Sequence, residues 1–203
     1  MEILPNFIVF EGGDGTGTST QLNLLREKIP APGRRVFLTC EPTGGPLGRI
    51  IRSVLGRELE LTRETLAFLF AADRQEHLYG QGGVAALCRE GAIVVSDRYV
   101  PSSLVYQGID CGDELPRRLN EGFPAPQILF YFELDPLAAM ERIGKREKKE
   151  LFEYREFQEK VRQRYLDILP LYRDAGVEVI SVNAARPVEK VAGDIWKVIG
   201  PLL

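Results

Sequence analysis

Phe7-Ile-Val-Phe-Glu11 runs directly into Gly12-Gly-Asp-Gly-Thr-Gly-Thr-Ser-Thr20, and Leu22, Leu24 and Leu25 follow. An apolar, β-branched run that ends in four glycines within six residues, ahead of a helix-like pattern, is the strand–loop–helix setting of a phosphate-binding loop. Small residues let successive backbone N–H groups point at phosphate oxygens, and the helix N-terminus adds a favourable dipole. The pattern G-x-x-x-x-G-K-[ST] fits from Gly12 to Ser19 at every fixed position but one, because Thr18 stands where lysine belongs. The candidate phosphate-binding residues are therefore Gly12, Gly13, Asp14, Gly15, Thr16, Gly17, Thr18, Ser19 and Thr20, with the Ser19 hydroxyl where Mg2+ is ordinarily ligated. Asp14 stands near the phosphate and suits a substrate hydroxyl or the metal shell better than the anion itself. The alternative is a glycine-rich turn without a ligand.

Outward from this loop the chain repeats the same grammar. Short apolar runs at Phe7–Glu11, Arg35–Thr39, Ala92–Ser96, Gln127–Glu133 and Val177–Val182 show little polar alternation, as expected of strands covered on both faces. Helical patterns lie between them at 19–29, 47–55, 62–79, 84–90, 114–123, 136–146, 152–171 and 187–202. Alternating strands and helices predict a five-stranded parallel sheet with helices on both faces, in one α/β domain over 1–203. Ligands of such sheets bind beyond the carboxyl ends of the strands. There the chain places the glycine loop, then Cys40-Glu41-Pro42-Thr43-Gly44-Gly45, then Asp97-Arg98-Tyr99.

Composition narrows the function classes. The chain has 203 residues, 44% of them hydrophobic and 27% charged, enough for one well-buried core. A net charge of −3 and a pI near 5.4 argue against a nucleic-acid or acidic-membrane partner. No apolar run approaches the ~20 residues that cross a bilayer, and the first residues lack the pattern of a secretory signal, so a cytoplasmic protein is expected. Cys40, Cys88 and Cys111 have no metal-ligand spacing and read as reduced thiols. His77 is the only histidine, set among charges in Asp73-Arg-Gln-Glu-His77, and reads as solvated or helix-capping.

Three further clusters carry chemistry, each with a bland alternative. Asp97 at a strand end beside a phosphate loop can hold Mg2+, and Arg98 can clamp phosphate with two parallel hydrogen bonds; a surface ion pair is the other reading. Phe70 and Arg74 share a helix face, fit for stacking on a base and gripping its phosphate, although spacing alone favours a core phenylalanine and a solvated arginine. Arg142-Ile-Gly-Lys145-Arg146-Glu-Lys148-Lys149 is either solvated surface or a lid that brings cations to a phosphoryl group; the spacing leaves both readings open.

Phe10-Glu-Gly-Gly-Asp-Gly-Thr-Gly-Thr-Ser-Thr-Gln21, Glu41-Pro42, Phe70-Ala-Ala-Asp-Arg74 and Asp97-Arg-Tyr-Val-Pro-Ser-Ser-Leu-Val-Tyr-Gln-Gly108 together resemble the thymidylate kinase family, in the family's order and across essentially the whole chain. The resemblance implies a nucleoside-monophosphate kinase fold and transfer of the γ-phosphate of ATP to dTMP with Mg2+, in a homodimer. It implies that Phe70 stacks on thymine, Arg74 binds the monophosphate, Ser103 and Gln107 read the base edge, and Tyr106 packs by the sugar. Arg98 would bridge donor and acceptor phosphates. Arg52 would lie near the acceptor phosphate, with Glu41, Pro42 and Asp14 around sugar and metal, and Ser19 and Asp97 at the metal itself. The loop's Gly15-Thr16 has no arginine, which implies the bacterial-type branch with its catalytic arginine in the lid, about residues 142–153. Leu151, Cys40 and Thr18 each replace a cation of the family pattern, so Arg142 and Arg146 are expected to carry that charge beside Arg98 and Asp14. The alternatives are a kinase for another pyrimidine monophosphate such as dUMP, or a weakly active nucleotide-binding relative.

Overall fold

The computed structural model describes residues 1–29, 35–143 and 148–203. The five expected strands form one sheet: β1 (Ile3–Gly12), β2 (Val36–Cys40), β3 (Ile93–Asp97), β4 (Ala125–Glu133) and β5 (Glu178–Asn183), in the order β2-β3-β1-β4-β5. All four pairings are parallel, so every carboxyl end lies on one edge and the strand order turns about β1. The helices are α1 (Thr18–Lys28), α2 (Pro46–Leu55), α3 (Arg63–Tyr79), α4 (Val84–Arg89), α5 (Val100–Cys111), α6 (Glu114–Asn120), α7 (Pro136–Ile143), α8 (Lys148–Asp174) and α9 (Val188–Ile199).

Strand alternation sorts the core. On β1, Ile8 and Phe10 pack with Leu22 and Leu25 of α1 and Val191, Ile195 and Ile199 of α9. Phe7 and Val9 point the other way, against Leu78 of α3, Val84 and Ala85 of α4, and Tyr99 and Val100. A third cluster joins Leu129 and Tyr131 of β4 to Val161, Tyr165 and Ile168 of α8. Burying one such side chain contributes about 1.5–3 kcal/mol. By the same period of two, Glu11 shares the face of Phe7 and Val9.

Two elements depart from the sequence reading. β1 starts at Ile3 rather than Phe7, and its register on β4 shifts between Leu4 and Ile8, where Asn6 takes a left-handed φ of 65°. Helix α5 was not expected: Ser102, Ser103 and Gly108 weaken its propensity, and its first turn is capped from β1 rather than locally. Among the described residues no helix is long and apolar enough to cross a membrane.

Candidate functional site

The glycine loop closes as the sequence requires at two places. Gly17 has φ 94° and starts α1, a conformation that costs an L side chain. A Cβ on Gly12 would lie 2.7 Å from Thr16 Oγ1 and 2.9 Å from the Phe132 carbonyl oxygen, so only glycine lets β1 turn so close to β4. Thr16 Oγ1 donates to the Gly13 carbonyl at 2.8 Å and ties the loop together.

Two clefts meet over this edge of the sheet. One, of about 660 Å3, is lined by Gly13 to Gln21 and by Arg98, Arg142, Tyr154 and Arg186. The other, of about 550 Å3, is lined by all ten residues expected around the acceptor: Asp14, Glu41, Pro42, Arg52, Phe70, Arg74, Arg98, Ser103, Tyr106 and Gln107. Asp14, Ser19 and Arg98 line both. A group passing from one cleft to the other would therefore pass these three side chains.

Arg98 follows β3 in a left-handed conformation, φ 72°, which is rare for a residue with a side chain and marks a position held by its surroundings. Its backbone N–H donates to the Phe10 carbonyl oxygen at 2.9 Å. Its guanidinium donates to Asp14 Oδ1 at 2.8 Å and to Ser102 Oγ at 3.2 Å, and lies 5.1 Å over the Tyr106 ring. Asp14 also accepts from the Tyr106 hydroxyl at 3.0 Å and, on Oδ2, from Gln158 Nε2 at 3.1 Å and the Tyr154 hydroxyl at 3.3 Å. Burial pushes the Tyr106 phenol up, so it stays a neutral donor.

The Ser19 hydroxyl donates to Asp97 Oδ2 at 2.5 Å, while Asp97 Oδ1 is buried without a hydrogen-bond partner among the described residues. An orphaned carboxylate oxygen beside a hydroxyl at a phosphate loop suits Mg2+, which takes one or two protein oxygens and completes its octahedron with phosphates and water. In the acceptor cleft Gln107 Oε1 is likewise buried and has no partner among the described residues, an acceptor open to an N–H at a base edge.

Arg74 on the acceptor wall and His77 behind it are both tied to Glu41. Arg74 is 1% exposed and its guanidinium is occupied: Nε donates to Glu41 Oε2 at 2.9 Å, NH2 to Ser103 Oγ at 3.0 Å, and NH1 to Asn120 Oδ1. It is wedged between the Tyr99 and Phe123 rings. These contacts hold it at the Ser103 end of the cleft, whose wall it lines, and Arg98 and Arg52 are the better-exposed guanidiniums there. His77 is neither solvated nor capping. Its ring bridges Thr39 Oγ1 at 2.8 Å and Glu41 Oε1 at 3.0 Å, so Glu41 is held from two sides. Removing one partner of a buried ion pair such as Arg74–Glu41 costs about 3–5 kcal/mol, because the other charge is stranded.

Arg142 lies where expected, on the loop cleft, donating to the Ala184 carbonyl at 2.8 Å. Arg146 and Lys145 lie outside the described residues. Sequence reasoning missed Gln158, Tyr154 and Arg186; the first two are i and i+4 on α8, a spacing that gives no sign of the distant loop they face.

Glu11 was also passed over. It is fully buried, and burial raises its carboxyl from 4.5 to about 7, against the lowering effect of hydrogen bonds from Ser102, Tyr165 and Tyr99 and of the Arg98 charge. A folded-state pKa above the unfolded one favours folding of the protonated form. That contribution is complete below pH 4.5 and is lost as pH rises through about 7. Wild type should therefore lose about 3 kcal/mol relative to Glu11→Gln between pH 4.5 and 8, read by urea unfolding at each pH.

The family model described as thymidylate kinase matches residues 10–195. A protein of Treponema pallidum provisionally named thymidylate kinase is 46% identical over 194 residues, covering 94% of this chain and 93% of its own length. Similarly named proteins of Aeropyrum pernix and Methanococcus aeolicus are each 39% identical, over 93% and 94% of this chain and 92% and 94% of theirs.

Proposed function

This chain belongs to the thymidylate kinase family, and from that premise we propose that it transfers the γ-phosphoryl group of ATP to dTMP, giving dTDP and ADP. It is a nucleoside-monophosphate kinase, and neither alternative substrate nor inactivity is favoured. The observation that carries the reading within the molecule is the sharing of Asp14, Ser19 and Arg98 by the two clefts.

In this reading the loop N–H groups and the N-terminus of α1 hold the donor's phosphates, and Phe70, Ser103 and Gln107 hold the base of the acceptor. Tyr106 and Asp14 stand by its sugar. Arg98 contacts both phosphates and spreads the charge that develops on the transferred group, since phosphoryl transfer depends on positioning and electrostatics more than on covalent chemistry. Ser19 and Asp97 would hold Mg2+, which when bound supplies charge neutralisation between the phosphates. Thr18 brings no ammonium to the donor, and Arg142 and Arg186, both on that cleft, stand as the cations that offset its absence. With no arginine in the loop, the chain is assigned to the lid-arginine, bacterial-type branch.

A homodimer is proposed on a further observation. Ile50 of α2 and Phe68 of α3 are 40% and 55% exposed, apolar side chains on two helices that pack on each other.

The substrate is tested by coupled assay across dTMP, dUMP, dAMP and dGMP with ATP and Mg2+. We expect kcat/KM for dTMP to exceed that for either purine monophosphate by at least about 10³-fold, because a buried unpaired acceptor at the base edge penalises the wrong donor pattern. Preferential turnover of dAMP or dGMP would sink the assignment.

A further inference from the structure

Glu11 lines neither cleft, yet its carboxylate accepts four hydrogen bonds beneath their junction. Oε1 accepts from the backbone N–H of Tyr99 at 2.8 Å and of Ser102 at 3.3 Å. Oε2 accepts from the Ser102 hydroxyl at 2.6 Å and the Tyr165 hydroxyl at 2.9 Å. Helix α5 has no side-chain cap of its own, and the phenol of Tyr99 at its N-cap is committed to the Pro124 carbonyl. The cap is therefore supplied from β1, by the last side chain before the glycine loop. An anion at a helix N-terminus satisfies orphan N–H groups and the local dipole together.

The Ser102 hydroxyl gives its proton to Glu11 and keeps a lone pair for Arg98 NH1 at 3.2 Å. The chain of contacts thus runs from β1 through Ser102 to the guanidinium shared by both clefts. We propose that Glu11 is a positioning residue for phosphoryl transfer, holding α5 and, through the Ser102 hydroxyl, Arg98 in register with the phosphate loop. This rests on the kinase reading above.

The ionised form is the one that accepts all four donors, since a carboxylate is acceptor-only and a carboxylic acid must donate. A protonated Glu11 would donate toward Ser102 or Tyr165 and compete with Arg98 for the Ser102 lone pair. The groups facing it are Arg98, Tyr99 and Ser102 from the β3–α5 segment and Tyr165 and Tyr172 from α8, with Tyr131 paired to it on β4. Among these, Arg98 alone is charged, because burial pushes the Tyr165 and Tyr172 phenols up. Glu11 therefore changes the charge on this side of Arg98 near neutral pH.

Glu11→Gln preserves the shape and removes the charge. In the full chain we expect kcat to fall about 30-fold or more with KM for ATP and dTMP within threefold, and Glu11→Asp to recover part of the loss. The wild-type kcat/KM profile should carry an ionisation near pH 7 that Glu11→Gln lacks, the ionisations of the two substrates being common to both. Adding Glu11→Gln to Arg98→Ala should cost no more than threefold further, because the two act as one unit. An active wild type with Glu11→Gln within threefold of it across pH 6–9, or a full 30-fold additional loss in the double variant, would overturn the assignment. A wild type that makes no dTDP would overturn the kinase reading instead, and is distinguishable from both.

Discussion

Arg98→Ala is expected to lower kcat about 10³-fold, equivalent to about 4 kcal/mol of transition-state stabilisation. Arg98 is the guanidinium that lines both clefts, and with Thr18 in the lysine position the loop itself supplies no cation to the transferring group. The loss should fall on kcat more than on KM, because the charge it meets develops between the two nucleotides. The fold should persist: the side chain is 25% exposed, its partner Asp14 keeps three other donors, and the left-handed backbone at 98 is no worse for alanine than for arginine. Arg98→Lys should restore only part of the rate, since an ammonium is a point charge and cannot span two phosphates as a planar fork does. Steady-state kinetics on the three proteins, with thermal melts alongside, reads all of this.

Asp97→Asn should act with the opposite sign on stability and activity. Among the described residues Asp97 Oδ1 is a buried carboxylate oxygen without a hydrogen-bond partner, and the Ser19 hydroxyl is the one side-chain donor to this carboxylate. Neutralising it should leave unfolding stability in chelator unchanged or raised by about 1 kcal/mol. The same substitution should raise the Mg2+ concentration for half-maximal activity at least 30-fold and lower kcat about 100-fold, because the amide is a poor ligand for a hard cation. A Mg2+ titration of activity together with apo unfolding curves separates the two effects. An Asp97→Asn enzyme with unchanged Mg2+ dependence would place the metal elsewhere.

The fold was legible because its signals are local. The central strands carry apolar runs such as Phe7-Ile-Val-Phe10, Ile93-Val-Val95 and Ile128-Leu-Phe130, and the loop at Gly12–Ser19 writes its backbone demands into glycine spacing. The membership of the acceptor cleft, down to Pro42 and Arg52, came from the resemblance to the family; strand-end position alone pointed only to Glu41-Pro42 and Asp97-Arg98, and spacing alone read Phe70 and Arg74 as core and solvent. What stayed hidden depends on partners far along the chain. Helix α5 looks weak by propensity and is capped by Glu11, 88 residues earlier than the N–H it receives. His77 looks like surface until α3 packs it between Thr39 and Glu41. Gln158 grips Asp14 across 144 residues of sequence, and nothing near Arg74 in the sequence shows that Asn120 and Glu41 pair with its guanidinium.

The central claim is direct transfer between the two clefts across Asp14, Ser19 and Arg98. It is tested by incubating the protein with ATP labelled in its γ-phosphate, dTMP and Mg2+, and separating the products. The account predicts label in dTDP with one ADP formed per dTDP. Label appearing only as inorganic phosphate, or remaining in ATP while dTMP binds, would contradict it.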